Sequence, residues 1–366
     1  MAKDNVYING RFLTQPSTGV QRFALELLSA LDRNLENEMD FIQDNNLICL
    51  VPNEIDVLLL PNWVNISIQK CGKLPGNLWE QIELPFFARN GLLVNLCNIG
   101  PIFHCNQIIV LHDVSVFAVP EAYSFAFKFK YKFIMSVLAH TAKQVLTVSK
   151  FSQNELVHYL RISKDKITTI SEGCEHILRT LPDNNVLINN KLDQQPFLLA
   201  VGSSSPHKNM ENLIKAVETD LNNPVKLVIV GGSYSKVFKD VKIVNSEKII
   251  QLGYVTNGEL RSLYSHAIGF IFPSLYEGFG LPPLEAMTCG CPVLCSNLAS
   301  MPEVCGEAAI YFDPLNINEI IGQMQYIINN LDIRNKLKQK GFKRVLQYTW
   351  RNSAQGLFIV INRFLK

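Results

Sequence analysis

Two glutamates, Glu277 and Glu285, stand eight positions apart on either side of the turn in YEGFGLPPLEAM. Gly278 and Gly280 permit a tight turn and a close approach of backbone to a ligand. Pro282 and Pro283 favour a helix start, where a missing N–H costs little. Backbone N–H groups at such an end, together with the helix dipole, suit a phosphate. Glu285 would lie in the first helical turn, where a carboxylate can accept hydrogen bonds from a ribose diol. Glu277, before the turn, can take another hydroxyl-bearing group. One reading is therefore a phosphate-bearing ligand gripped at both ends. The other is a plain strand–turn–helix connection with Glu277 on the surface and Glu285 as a cap.

Three further stretches carry chemistry-bearing side chains. His112 follows IIVL directly and precedes Asp113; it is either a satisfied core histidine or a site group. In FAFKFKYKF, 125–133, aromatics alternate with Lys128, Lys130 and Lys132, a period of two that argues for a strand. That stretch is either an ordinary surface element with part of its aromatics buried, or a basic aromatic patch for anionic lipid or a lipid diphosphate. Cys289, Cys291 and Cys295 form C-x-C-x3-C, which lacks the paired C-x2-C knuckles of a zinc module. They are expected to be buried small hydrophobes. No D-x-D follows a strand, so no metal is expected, and no other cofactor.

The elements that must position these residues follow from the apolar pattern. Short apolar runs read as strands at 6–9, 46–51, 92–96, 108–113, 144–149 and 166–171, with helical patterns at 19–33, 121–141 and 150–161. The scheme then repeats, with strands at 197–202, 226–232, 249–253, 269–274, 292–296 and 308–312 and helices at 208–219, 257–266, 282–290, 317–330 and 333–347. Strand–helix alternation predicts parallel sheets covered by helices on both faces. Seen twice in 366 residues, it predicts two doubly wound α/β domains. The polar, Asn- and Asp-rich stretch 174–196 reads as a linker. The expected domains are 1–174 and 175–349, with a final helix about 350–366 packing back on the first. In open parallel sheets, ligands bind beyond the carboxyl ends of strands. The residues to inspect are thus Gly10–Val20, His112–Asp113, Gly202–Asn209, Gly231–Ser235, Gly253–Thr256 and Ser274–Leu281, which two facing domains would bring to a cleft.

Composition excludes other classes. Hydrophobic residues make up 48% and charged residues 18%, with a net charge of +2. That is a globular balance with no nucleic-acid footprint. MAKDNVYING does not read as a secretion signal, no run reaches the length of a membrane-spanning helix, and most of the nine cysteines are expected as reduced thiols in a cytosolic core.

YEGFGLPPLEAMTCGCPV followed by SNLASMPEVCGEAAIYFDP closely resembles the nucleotide-sugar-binding half of glycosyltransferase family 4, retaining enzymes of the GT-B fold. The E-x7-E pair is Glu277 and Glu285. The likeness runs through VGSSSPHKNMENLIKA (201–216), LVIVGG (227–232) and LGYVTNGELRSLYSHA (252–267). It is also visible in STGVQRFALELLSAL (17–31), VLHDVS (110–115) and VLTVSKFSQNEL (145–156). The resemblance implies two Rossmann-like domains and sugar transfer from a nucleotide diphosphate to an acceptor hydroxyl. It implies that Glu277 contacts donor-sugar hydroxyls, Glu285 the ribose, and the backbone of Phe279, Gly280 and Leu281 the sugar and phosphate. Lys208 matches the lysine that neutralises the diphosphate. His207 stands where many relatives carry arginine, which removes a fixed positive charge. Gly19 matches a glycine that lets the first domain approach the diphosphate, Tyr254 and Val255 would lie along the base, and His112 would contact donor sugar or acceptor, with Asp113 beside it. The resemblance also implies a helix over FAFKFKYKF and front-face attack, in which the leaving phosphate helps to take the acceptor proton.

The chemistry is coherent with those roles. Cleavage of the sugar–phosphate bond puts negative charge on the leaving diphosphate, which Lys208 and backbone N–H groups can stabilise. YINGRFLTQPSTGVQRFA looks like mannosyl- or rhamnosyltransferases of O-antigen assembly. GDP-mannose is thus the first expected donor, with UDP-hexoses and dTDP-rhamnose open. The expected acceptor is a lipid-linked oligosaccharide, reached by peripheral contact of Lys128, Lys130 and Lys132 with the anionic inner face of the cytoplasmic membrane. A sugar-nucleotide epimerase of similar fold and a catalytically inactive nucleotide-sugar-binding subunit are the alternatives.

Overall fold

The computed structural model describes residues 3–16, 18–56, 60–220, 225–232 and 246–365. Ser17 and positions 233–235, both within stretches singled out above, lie outside them. The described residues divide into two compact units. The first comprises residues up to Val114, Phe129–Gly173 and Trp350 onward; the second comprises Ser115–Lys128 and Cys174–Thr349. The segment 115–128 thus sides with the second unit, although it precedes the division expected at 174/175.

The first unit holds β1 (Asp4–Asn9), β2 (Asn45–Pro52), β3 (Ile66–Cys71), β4 (Gly91–Asn95), β5 (Gln107–Val110), β6 (Gln144–Thr147) and β7 (Ile167–Thr169). They form one parallel sheet in the order β3-β2-β1-β4-β5-β6-β7. The second holds β8 (Phe197–Val201), β9 (Lys226–Val230), β10 (Ile249–Gly253), β11 (Gly269–Phe272), β12 (Val293–Ser296) and β13 (Ala309–Phe312). Their parallel order is β10-β9-β8-β11-β12-β13. Inner strands such as FLLAV and GFIF are apolar throughout because helices cover both of their faces. Each strand order reverses once, between β1 and β4 and between β8 and β11. Those reversals are the switch points where neighbouring loops diverge and leave a crevice at the carboxyl ends.

Amphipathic helices complete each core. In the second unit Leu213, Ile214 and Val217 of the Met210–Thr219 helix pack with Leu227 and Ile229 of β9 and with Met324 and Ile327 of the Ile317–Asn329 helix. In the first, the Trp350–Phe364 helix lies on the Gly19–Leu35 helix, with the Phe23 and Trp350 rings 5.8 Å apart.

Four readings need correction. The alternating aromatics of 125–133 lie on a helix, Phe125–Thr141, as the 121–141 pattern and the resemblance implied, and not on the strand that their period of two argued for. The stretch 174–196 is no free linker: His176, Ile177, Val186, Leu187 and Leu192 are buried in the second unit. The edge strand β3 was not expected. Neither was the continuous helix Gly76–Phe87, whose middle, Trp79–Glu83, is wound as a π-helix.

Candidate active site

At the switch point of the second sheet, the loops after β8 and β11 bring two charges together. Lys208 Nζ donates to Glu277 Oε1 at 2.6 Å, and Ser274 Oγ donates to the same oxygen at 2.6 Å. The pair is largely but not wholly covered, with side-chain exposures of 21% and 14%. The Lys208 ammonium also stands 5.6 Å from the centre of the Phe272 ring. Lys208 ends a short 3-10 turn, Pro206–Lys208, and Asn209 next to it takes the left-handed conformation. Asn209 Nδ2 donates to the carbonyls of Pro273 (3.2 Å) and Pro314 (2.7 Å). The Leu275 N–H donates to the His207 carbonyl at 2.8 Å. The two loops are thereby tied, and the lysine is held against the glutamate by bonds that do not involve its charge.

The glycine-rich turn is pinned by a residue the motif does not contain. Ser300 Oγ lies 2.9 Å from the Glu277 carbonyl and 2.7 Å from the Phe279 carbonyl, donating to this pair. Gly280 has φ +104°, and a Cβ there would strike the Met301 methyl. Because Pro282 and Pro283 have no N–H, the donors at this helix start are the amides of the turn and of Leu281. The Phe279 ring is core, edge-on to Tyr348 at 5.6 Å, so its contribution to a ligand is its backbone. Leu281 is likewise buried. A Gly280→Ala substitution is expected to cost about 1–3 kcal/mol through the left-handed backbone. Met301 can swing aside, so melting should fall modestly while activity falls more. A variant with wild-type melting and activity would mean the turn tolerates a side chain.

Glu285 is placed differently from Glu277. It is 5% exposed. His176 Nε2 donates to its Oε1 at 2.8 Å and the Tyr264 hydroxyl to its Oε2 at 3.2 Å. Burial and the adjacent Glu285 carboxylate drive the Tyr264 hydroxyl well above its ordinary pKa, so it stays a donor. The carboxylate is thus oriented by two buried side chains of its own unit.

The remaining donor-side positions are spread around these loops. Tyr254, at the carboxyl end of β10, is 67% exposed, and its ring lies beside Gly232 at the end of β9. Val255 is half-buried. The His207 ring lies parallel to Tyr123, 6.4 Å away. Burial pushes the Cys289 thiol up to about 12. Cys291 and Cys295 are fully buried, as expected of small core residues, whereas Cys289 is only half-buried; all three thiols are free.

In the first unit His112 is buried. Its Nε2 donates to the Leu96 carbonyl at 2.9 Å, its Nδ1 faces Glu172 at 3.8 Å, and its ring stands edge-on to Phe23 at 4.6 Å. Asp113 is half-buried. Gly19 opens the Gly19–Leu35 helix, and a Cβ there would meet nothing within 4 Å. Of the three lysines on the Phe125–Thr141 helix, Lys130 is exposed, whereas Lys128 and Lys132 are half-buried.

The first sheet's switch point carries a polar network that no local motif announces. Asn9, at the end of β1, donates to Glu80 (2.8 Å) and to Asn95 (2.9 Å) at the end of β4. Arg11 pairs with Glu80 at 2.7 Å, and Asn95 donates to Gln107 at 2.8 Å. Burial pushes the Glu80 carboxyl up, while Arg11 and Asn9 pull it back. Among the described residues no group of three or more His, Cys, Asp or Glu side chains is gathered as a metal set.

Comparison with known proteins gives consistent results. Residues 184–344 match the family described as glycosyl transferases group 1. The chain is 29% identical over 379 residues to O-antigen chain mannosyltransferase B of Escherichia coli, covering 92% of this chain and 94% of that one. It is 31% identical over 320 residues to O-antigen chain mannosyltransferase RfbU of Salmonella typhimurium strain LT2, covering 84% and 86%. Its backbone is similar to that of Anabaena Alr3699/HepE, solved in complex with UDP, with a TM-score of 0.69, 15% identity and coverage of 98% and 100%.

Proposed function

Because the chain belongs to the group 1 glycosyl transferases, we propose that it moves a mannosyl group from GDP-mannose to a lipid-linked oligosaccharide during O-antigen assembly. That it is a glycosyltransferase of the GT-B fold follows from the family and from the two doubly wound units. The mannosyl donor is supported by the relatives' names. The observation that carries the chemistry is the Lys208–Glu277 pair at the second sheet's switch point.

A nucleotide diphosphate sugar fits that pair in a definite sense. Lys208 carries three N–H donors and gives one to Glu277. The others can meet the diphosphate as its bond to the anomeric carbon breaks and negative charge accumulates. Both hydrogen bonds on the Glu277 carboxylate fall on Oε1, so Oε2 can accept from a sugar hydroxyl. Ser274 and Lys208 hold that carboxylate in place before the sugar arrives. The exposed Tyr254 ring offers an apolar face for the base, and Glu285, oriented by His176 and Tyr264, accepts from the ribose. The acceptor oxygen attacks the anomeric carbon on the face the diphosphate leaves, and its proton passes to the departing phosphate oxygen. Configuration is then retained.

The working place is the inner face of the cytoplasmic membrane, with peripheral contact to anionic lipid. Exposed Lys130 on the Phe125–Thr141 helix supports this, as does the nature of a lipid-linked acceptor. The test is nucleotide release from GDP-mannose, UDP-hexoses and dTDP-rhamnose, each with and without a lipid-linked acceptor. The expected result is acceptor-dependent GDP release from GDP-mannose. Release from another donor would replace mannose. Interconversion of sugars without release would mean an epimerase, and binding without turnover an inactive subunit.

A further inference from the structure

The Gly76–Phe87 helix is fastened on one side and bare on the other. On its inner side Trp79 is fully buried and donates Nε1–H to the Cys71 carbonyl at 2.8 Å. Glu80 is bonded to Asn9 and Arg11, and Glu83 accepts from the backbone N–H groups of Lys73 and Leu74, at 2.8 Å for each. On its outer side Leu78, Ile82 and Phe86, each four residues from the next, are 54%, 59% and 60% exposed. Gln81 ties the next loop to the helix: its Nε2 donates to the Gly100 carbonyl at 2.8 Å, and its Oε1 accepts from Ile102 N–H at 3.2 Å. The adjacent Phe103 is 85% exposed. A soluble surface rarely gathers this many large apolar side chains without a partner.

Cations stand at both ends of the ridge. Lys73 and Arg89 at its ends are exposed, and the Arg89 guanidinium lies 4.7 Å from the centre of the Phe86 ring. Of the two carboxylates of the helix, Glu80 is buried, and Glu83, half-exposed, is taken up by the Lys73 and Leu74 amides. Lys130, on the Phe125–Thr141 helix, lies within electrostatic reach of Glu80 and Arg11. That helix carries Phe129 and Phe133, 70% and 56% exposed. The first unit thus presents rigid apolar side chains rimmed by cations, the composition of an element that lies in the interface of an anionic bilayer. No helix among the described residues is long and apolar enough to cross a membrane.

We propose that Leu78, Ile82, Phe86 and Phe103, rimmed by Lys73 and Arg89, are the surface that inserts into the headgroup layer of an anionic membrane. This extends the contact beyond the three lysines of the Phe125–Thr141 helix and rests on the proposed lipid-linked acceptor. The cations bring the protein to the bilayer, and the ridge holds it there at salt concentrations that screen the charges.

The experiment is sedimentation of the full chain with phosphatidylcholine vesicles, with and without phosphatidylglycerol, at low and moderate salt. The probe variant is Leu78→Ser with Ile82→Ser and Phe86→Ser. The expected result is binding of the wild type to anionic vesicles, weakened about tenfold or more in the variant. Turnover on a soluble acceptor analogue and the circular dichroism spectrum should stay unchanged. Should the triple variant fold poorly, Phe103→Ser, on a separate loop, is expected to weaken vesicle binding in the same direction. Variants that bind vesicles as the wild type does would overturn the proposal. So would a wild-type dimer, by sedimentation velocity, that the variant turns into a monomer without any vesicle binding: the ridge would then join two copies of this chain. A wild type that transfers sugar to the soluble analogue but ignores vesicles would sink the docking surface alone. A wild type that binds vesicles but turns over no nucleotide sugar would sink the transferase reading alone.

Discussion

Replacing Lys208 by alanine is expected to lower sugar transfer by about 10²–10³ in turnover, as loss of one preorganised electrostatic donor commonly does. The fold should barely register the change. Lys208 and Glu277 are partly solvated, and Glu277 keeps its bond from Ser274 at 2.6 Å. Ion pairs with that access to water contribute about 0–1 kcal/mol, so melting should move little. The loop itself is held by Asn209, through the Pro273 and Pro314 carbonyls, and these bonds survive the substitution. Lys208→Arg should recover part of the rate, because charge remains while the compact ammonium geometry is lost. Steady-state kinetics with the donor that serves the wild type, together with a melting curve, check this. Wild-type turnover in Lys208→Ala would reduce the lysine to a loop residue with a surface ion pair.

The parts of the fold that were legible are those where local pattern and burial agree. Strands such as FLLAV and GFIF are apolar end to end because both faces are covered, and they stand out against flanking helices. Edge strand β3, ISIQKC, is buried only at its two ends and has no such contrast. The Gly76–Phe87 helix was hidden by its exposed apolar residues and by Pro85, which punctuates like a breaker but stands near the start of the last helical segment. The stretch 125–133 misled through arithmetic: a period of two contains a period of four. Phe125, Phe129 and Phe133 form an exposed stripe on a helix, while Phe127 turns inward and stacks on Tyr123 at 5.4 Å. In the site, Glu277 was legible from the glycine-rich turn that follows its strand, and Lys208 from the family resemblance of VGSSSPHKNMENLIKA. Ser300, which pins the glycine-rich turn, and His176, which orients Glu285, were not. Each reaches its partner across the unit, and His176 does so from a stretch whose polar composition reads as linker. The Asn9–Arg11–Glu80–Asn95 network is further from view, since its partners lie 69 to 86 positions apart in the chain.

Glu285→Ala is expected to destabilise the second unit as well as to weaken nucleotide binding. The carboxylate is 5% exposed, and the His176 Nε2–H and the Tyr264 hydroxyl both end on it. Its removal strands two buried donors, each costing about 1–3 kcal/mol when left unsatisfied. The sum, about 2–6 kcal/mol on the same principle, should lower the melting temperature of a unit of this size by about 2–4 °C per kcal/mol. Glu285→Gln should cost less. Its amide oxygen can still accept from His176 or Tyr264, while its NH2 must face the other donor. The order of melting temperatures is therefore wild type, then Gln, then Ala. Free nucleotide should bind more weakly to both variants at a temperature where they remain folded, because a ribose diol would lose the oriented carboxylate. Calorimetric melting and nucleotide titration separate the two effects. If Glu285→Ala melted like the wild type and lost only nucleotide affinity, the His176 and Tyr264 bonds would have no structural weight. If it melted early but bound nucleotide normally once folded, Glu285 would be a core residue and the ribose would be held elsewhere.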